Sequence, residues 1–432
     1  MNLITIFTNN SQILILNTML VEFSVGNFRS FKDIQTLSMV AAPISSKNKE
    51  LDEQNTFQAT PKLRLLKTKA IYGANGSGKS NLVRAMSSFN DFIIMSLRPD
   101  ANLHLFFQPF VLSFETENKP SFFQIIFILN GIQYRYGFEA SSEKIISEWL
   151  FGTPNQREVY YFKREGQELD INEKHLKGAK KIQNLLGEET QIYKKTSLFI
   201  SVLSSLNISV ANDVMSYFMS LYIDTNTSDL ITHDVLKRDF SINQFLKGTF
   251  NKEAIELLKY VDSGIDSIGI AGSNEKPESE KVIAFTSKKY SNDQTETVAL
   301  PFFQFASEGT KKVFDIAPFI INSLENGKTL VIDEFDSKLH PIITKKIVEL
   351  YNGNKKNAQL IFVTHDSNLL DYRLLRRDQI AFVEKDKLGA SQIYNLVEFK
   401  GVRNDASFEK DYLDGRYGAV PFVGNFEYIF AK

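Results

Sequence analysis

Gly73-Ala74-Asn75-Gly76-Ser77-Gly78-Lys79-Ser80 is the stretch on which the fold turns. Immediately upstream, Lys69-Ala70-Ile71-Tyr72 reads as a short strand. Immediately downstream, Leu82, Met86, Phe89 and Ile93 recur at helical spacing. A strand, a Gly-rich turn and an amphipathic helix in that order are the context of a P-loop. Glycines let backbone N–H groups turn inward around phosphates at the positive end of the helix. Gly73, Ala74, Asn75, Gly76, Ser77, Gly78, Lys79, Ser80 and Asn81 are therefore the candidate nucleotide-binding set. Lys79 is placed to reach the β- and γ-phosphates, and Ser80 to offer its hydroxyl to Mg²⁺, an ion that keeps several waters and needs few protein ligands.

Far downstream, Thr329-Leu330-Val331-Ile332 is an apolar strand that runs into Asp333-Glu334. Carboxylates at the carboxyl end of a buried strand lie where open α/β sheets hold ligands. Asp333 is the candidate Mg²⁺ carboxylate and Glu334 the candidate base for an attacking water.

Composition narrows the partners. Fifty Lys and Arg against 51 Asp and Glu leave a net charge of -1, so any nucleic-acid contact has to be a local patch. The absence of cysteine removes disulfides, thiolate metal sites and cysteine nucleophiles together. At 432 residues the chain exceeds one average domain. The first 21 residues carry no charge, but there is no basic segment before the apolar run, and Asn9, Asn10, Gln12 and Asn17 interrupt it. Neither a signal peptide nor a membrane span is expected, and the composition is compatible with the cytoplasm.

Strands are expected over Val21–Val25 and in a meander from Phe106 to Phe138, with an Asn130-Gly131 hairpin turn. Residues 142–260 read as mostly helical, and strand character returns at 265–270, 282–285 and 298–305. The C-terminal part alternates helix and strand, which argues a mostly parallel sheet.

Two further motifs give the spacing its meaning. Ser307-Glu308-Gly309-Thr310 opens the helix expected over Lys311–Leu324, with Ser307 as a plausible N-cap, 26 residues before Asp333. His365, in Val363-Thr364-His365-Asp366, ends the next strand, 32 residues beyond Asp333. This order resembles the ABC-type ATPase heads of the SMC and RecF proteins and of related double-strand-break repair ATPases. At finer grain the chain resembles the abortive-infection AAA-type ATPases of bacteria and archaea, with their RloA-like members and the AriA-like ATPase of PARIS phage defence. The stretches that carry this resemblance include Asn27–Phe31, Tyr134–Gly137, Glu148-Trp149-Leu150, Asp333–Pro341, Arg376–Gln379 and Gly415–Pro421.

The resemblance implies an α/β fold, a P-loop NTPase of ABC-ATPase head type with a large antiparallel-β and helical insertion. It implies ATP and Mg²⁺ as ligands and a homodimer, or a higher oligomer, closed around them. Ser307, Gly309 and Thr310 of one protomer would bind the γ-phosphate held by the other's P-loop, and His365 would contact that phosphate. Asp336–His340 would cross the seam. Asn27 and Arg29 would lie near the nucleotide, and Gln108 would sense the Mg²⁺ as a glutamine-loop residue. The residues alone leave simpler roles open: helix capping for Ser307, a structural arginine for Arg29, an exposed strand glutamine for Gln108.

The division expected on this basis is an N-terminal extension over 1–18, a head segment over 19–105, an inserted meander and helical lobe over 106–295, and the rest of the head over 296–432. Such ATPases sit beside an effector that they hold or release on sensing infection, of which a Toprim-type nuclease is one form. The 67 residues after His365 are too few for such a domain in cis. Two alternatives remain at this stage, a RecF-like DNA-binding repair ATPase and a nucleotide-stabilised scaffold with little turnover.

Overall fold

The computed structural model describes residues 18–98, 102–185, 194–225, 250–270, 282–289 and 295–421. In chain order its strands are β1 (Thr18–Gly26), β2 (Gln35–Ser38), β3 (Thr56–Thr60), β4 (Leu63–Leu66), β5 (Thr68–Tyr72), β6 (Ser121–Leu129), β7 (Ile132–Ala140), β8 (Ile145–Gly152), β9 (Val159–Glu165), β10 (Glu168–Ile171), β11 (Tyr222–Asp224), β12 (Ser267–Ile270), β13 (Val282–Lys289), β14 (Thr295–Pro301), β15 (Thr329–Ile332), β16 (Gln359–Val363), β17 (Ile380–Lys385) and β18 (Ser391–Asn395). The helices that pack on them include α1 (Lys79–Met95), α2 (Phe199–Ser205), α3 (Ser209–Ser220), α4 (Asn251–Val261), α5 (Glu308–Asn326) and α6 (Pro341–Gly353).

Two large sheets organise the molecule. One has the order β11-β15-β16-β5-β17-β18, with every pairing parallel except β17 with β18. Its central strands are buried on both faces, as parallel strands covered by helices must be. Ile71, Val331, Ile361 and Val383 point toward α1, while Ala70, Tyr72, Leu330 and Phe362 join Ile320 of α5 and Ile347 of α6 in a second core. The other sheet is antiparallel, in the order β10-β9-β8-β7-β6-β1-β2.

Helix α1 lies between the sheets. Its apolar stripe supplies Leu82, Met86, Phe89 and Ile93, and Phe89 stacks on Phe138 of β7 at 5.2 Å between ring centres. The P-loop helix is thus clamped from both sides. A third sheet, β12-β13-β14, packs with α4 and the start of α5 around Phe302, Val313 and Phe314.

Three sequence expectations change. The region read as mostly helical from residue 142 contains β8, β9 and β10. A register shift at Leu150/Phe151 breaks the two-residue alternation that would have marked it. The meander is not a lobe apart from the N-terminal strands, because β6 pairs with β1 along its length and a boundary near residue 106 cuts through the antiparallel sheet. Strand β14 stops at Pro301, which has no N–H for the ladder, and Phe302–Phe305 forms one helical turn whose Phe302 and Phe303 pack on Phe314.

Segment 1–17 and the loops at 272–281 and 291–293 lie outside the described residues. The Gly415–Pro421 stretch is a packed turn: Tyr417 and Ala419 are buried, the Tyr394 hydroxyl donates to the Tyr417 carbonyl, and that of Tyr412 donates to Ala419. Among the described residues no helix is long and apolar enough to cross a membrane.

Candidate nucleotide site

The strand order builds the site. β5, β15, β16 and β17 run parallel, so their carboxyl ends share one edge of the sheet. β5 ends at the P-loop, β15 at Asp333-Glu334, β16 just before Thr364-His365 and β17 at Lys385. Motifs separated by more than 250 residues therefore meet. They line an open cleft of about 740 Å³ with Asn75, Gly76, Ser77, Gly78, Lys79, Ser80, Asn81, Arg84, Asp333, Glu334, Val363, His365 and Lys385 on its walls. That volume is within the range of small-molecule sites.

The loop is held from below. Gly78 has a left-handed φ of 112°, and a Cβ there would collide with the Ser391 and Ser30 hydroxyls, so only glycine fits. Ser391 Oγ donates to the Ser77 carbonyl at 2.6 Å, the Ser391 N–H donates to the Ser30 carbonyl at 2.7 Å, and Asn81 Nδ2 donates to Ser30 Oγ at 2.8 Å. The Lys79 ammonium is folded onto the loop and donates to the Gly73 and Ala74 carbonyls at 2.8 and 2.9 Å. Burial lowers its pKa to about 8, against the opposing pull of Asp333, Asp336 and Glu334.

Asp333 is 2% exposed, and burial raises its pKa although Ser80 and the Glu334 N–H hydrogen-bond to it. A divalent cation beside Ser80 and Asp333 would relieve a carboxylate whose charge the protein disfavours, so the oxygen donor set fits Mg²⁺.

Glu334 is exposed to the cleft and has a left-handed φ of 47°, a conformation that costs a non-glycine residue roughly 1 kcal/mol or more. Its peptide is fixed on both sides: the N–H donates to Asp333 Oδ1 at 3.0 Å, and the carbonyl accepts from the Ser337 N–H at 3.0 Å and from Lys312 Nζ at 2.5 Å. The His365 N–H donates to Asp336 Oδ1 at 3.1 Å. Burial, with Lys79 nearby, lowers the His365 imidazole pKa, while Asp336 and Glu334 oppose the shift.

Ser307 caps α5, accepting from the Thr310 N–H at 3.1 Å, and Thr310 Oγ1 donates to Asp262 Oδ2 at 2.8 Å. Ser307, Gly309 and Thr310 do not line the cleft of their own chain. Glu308 is pushed down to about 2 by its hydrogen bonds from Lys311 and Lys338.

Three expected residues lie elsewhere. Asn27 is turned away from the cleft: its Nδ2 donates to the carbonyls of Thr116, Lys119 and Pro120, and its Oδ1 accepts from the Phe110 N–H. Arg29 has a φ of 50°, donates its N–H to the Gln108 carbonyl at 2.7 Å and does not line the cleft. Gln108 is exposed and also outside it. Sequence reasoning missed Ser30, Arg84 and Lys385. Arg84 follows Ser80 by one helical turn and so could have been found by spacing; Lys385 carried no such signal.

Fold and site define an α/β protein with a P-loop at the carboxyl edge of a mostly parallel sheet. The chain belongs to the family described as "AAA domain, putative AbiEii toxin, Type IV TA system", which matches residues 70–371. It is also similar to the phosphate import ATP-binding protein PstB 3 of Synechocystis sp., 38% identical over 98 residues, which are 22% of this chain and 34% of that protein. The chain thus spans about a third of that relative's length. Among solved structures, the SMC head domain from Thermotoga maritima is 15% identical, with 87% of this chain and 98% of that one covered and a TM-score of 0.36. An SMC head with a coiled coil and joint from Pyrococcus yayanosii is 11% identical, covers 93% and 100%, and has a TM-score of 0.41.

Proposed function

We propose that this chain is a cytoplasmic ATPase that binds ATP with Mg²⁺, closes as a homodimer around two nucleotides and, through that switch, controls a separate effector in anti-phage defence. The observation that carries the reading is the gathering of Lys79, Ser80, Asp333, Glu334 and His365 on one cleft. Lys79 exchanges its two carbonyl partners for the β- and γ-phosphate oxygens, assisted by the inward backbone N–H groups. Ser80 and Asp333 would hold Mg²⁺, which would supply positive charge against the phosphate oxygens. Glu334 takes a proton from water while the water oxygen bonds the γ-phosphorus and the bond to the bridging oxygen breaks, giving ADP and phosphate. His365 holds the γ-phosphate from the neighbouring strand end.

A capped helix start with a glycine amide is an anion site, and Ser307 to Thr310 are not on their own chain's cleft, which supports a nucleotide shared with a second copy. The family's description, a putative toxin of a type IV toxin–antitoxin system, supports the presence of a partner.

The test is ATP turnover and solution mass for wild type, Lys79→Ala and Glu334→Gln, each with and without ATP-Mg²⁺. Wild type should turn over; Lys79→Ala should lose nucleotide binding; Glu334→Gln should lose turnover by about 100-fold or more and accumulate an ATP-bound dimer. Unchanged rate and mass for Glu334→Gln would remove both the base assignment and the shared-nucleotide dimer.

A further inference from the structure

Lys312 stands on the first turns of α5, the helix that Ser307 caps, yet its ammonium reaches the backbone carbonyl of Glu334 at 2.5 Å. The contact spans 22 residues and joins two separate motifs in one chain. Glu334 is held in a left-handed conformation, which persists only where the surroundings impose it. The Ser337 N–H supplies one bond to the same carbonyl, but it belongs to the turn that Glu334 itself starts. From outside that turn the same peptide is held on its N–H side, where Phe335 donates to the Val363 carbonyl at 2.8 Å, and on its carbonyl side by Lys312, whose bond is charge-assisted.

We propose that Lys312 is a positioning residue for hydrolysis, fixing the Glu334 peptide so that its carboxylate faces the attacking water and tying that geometry to the helix bearing Ser307 and Gly309. The inference rests on Glu334 being the base of the proposed reaction. Lys312 does not line the cleft. Its loss therefore leaves ground-state binding in place and misdirects only the group that acts in the transition state, which lowers kcat and spares KM. A second consequence is coupling. Anything that displaces the start of α5 also moves the Glu334 carbonyl's partner, so occupation of the Ser307 end is felt at the base without a change in the P-loop.

The experiment is steady-state ATP hydrolysis by the full chain for Lys312→Met, Lys312→Gln, Lys312→Arg, Glu334→Gln and the exposed control Lys346→Ala. The expected result is a fall of about 10-fold or more in kcat for Lys312→Met and Lys312→Gln, equivalent to ~1.4 kcal/mol. KM for ATP should stay within about 2-fold, and Lys312→Arg should recover most of the rate. Two unlike neutral replacements guard against one that fails to fold, and ATP binding reports on folding in each. If Glu334→Gln is inactive while both neutral variants keep kcat within about 2-fold of wild type, the positioning role is overturned alone. If Glu334→Gln keeps full turnover, the base assignment falls and this inference falls with it.

Discussion

Gly309 lies against the carbonyl oxygen of Lys338, which would stand 2.5 Å from a Cβ at that position. The glycine of the Ser-Glu-Gly-Thr motif therefore has a role within its own chain: it lets the start of α5 close onto the loop that follows Asp333-Glu334. Glu308, flanking it, bridges Lys311 at 2.8 Å and Lys338 at 3.0 Å across the same seam. Gly309→Ala should force the 336–340 loop outward and lower stability by about 1–3 kcal/mol, the usual range for overpacking. Urea unfolding measures this. A variant as stable as wild type, with unaltered turnover, would show that the loop yields without consequence.

Asn27→Ala tests the reassignment of Asn27 from nucleotide contact to loop anchor. The substitution removes the donor to three carbonyls and the acceptor for the Phe110 N–H, and puts alanine at a φ of 46°. With roughly 1 kcal/mol per hydrogen bond, and more where a buried group is left unpaired, a loss of about 2–4 kcal/mol is expected. ATP affinity should stay within about 2-fold by fluorescence titration. A large affinity loss at unchanged stability would return Asn27 to the nucleotide site.

The legibility of the sequence divided along a physical line. P-loop, acidic strand end and His365 were readable because each is a local pattern, a strand followed by a particular residue at its carboxyl end. That they share one cleft follows from β16 lying between β5 and β15, an order that no local pattern encodes. The strands β8 to β10 were missed because a register shift and charged side chains such as Lys163 and Arg164 blur their alternation. Asn27 misled because short polar motifs beside a Gly-rich loop look alike whether they face a ligand or staple a turn. Ser30, in the same motif, is the residue that reaches the loop, through Asn81 and Ser391.

Lys79 makes nucleotide binding depend on pH in a direction that can be stated. Burial lowers its pKa to about 8, and a bound phosphate favours the charged form and so raises it. Affinity for ATP-Mg²⁺ is therefore fully present below about pH 8 and falls as pH rises above it, by up to about 10-fold per unit. Without nucleotide the sign for folding is opposite. The folded pKa lies below the unfolded value near 10.4, so the unfolded chain binds the extra proton and this group's contribution to stability rises between about pH 8 and 10.4. Titration calorimetry from pH 7 to 9.5 on wild type and Lys79→Arg checks the first effect, since the arginine variant should show no such slope. An equal slope in both would assign the titration to another group.

Glu148 carries the last prediction, because it links the antiparallel sheet to the P-loop helix. Its carboxylate and the Arg164 guanidinium are fully buried, 3.5 Å apart. The carboxylate also accepts from the N–H groups of Phe199 and Ile200 at the start of α2 and from the Tyr136 hydroxyl. α2 in turn meets the end of α1, where Ser201 Oγ donates to the Ile93 carbonyl and Ser96 and Ser201 share a bond. Burial raises the Glu148 pKa, with Arg164 and the helix N–H groups working against it, so the pair contributes order at the cost of desolvation. Glu148→Ala leaves Arg164 buried without its carboxylate and should lower stability by about 3–5 kcal/mol. The double variant Glu148→Leu with Arg164→Met, which removes both charges, should lose clearly less than the sum of the two single losses. Chemical denaturation of wild type, Glu148→Leu, Arg164→Met and the double variant gives the coupling. Additive losses would mean that each charge is satisfied by its other partners, the Ser197 and Gly166 carbonyls for Arg164 and the Phe199 and Ile200 N–H groups for Glu148, and that the two do not act as a pair.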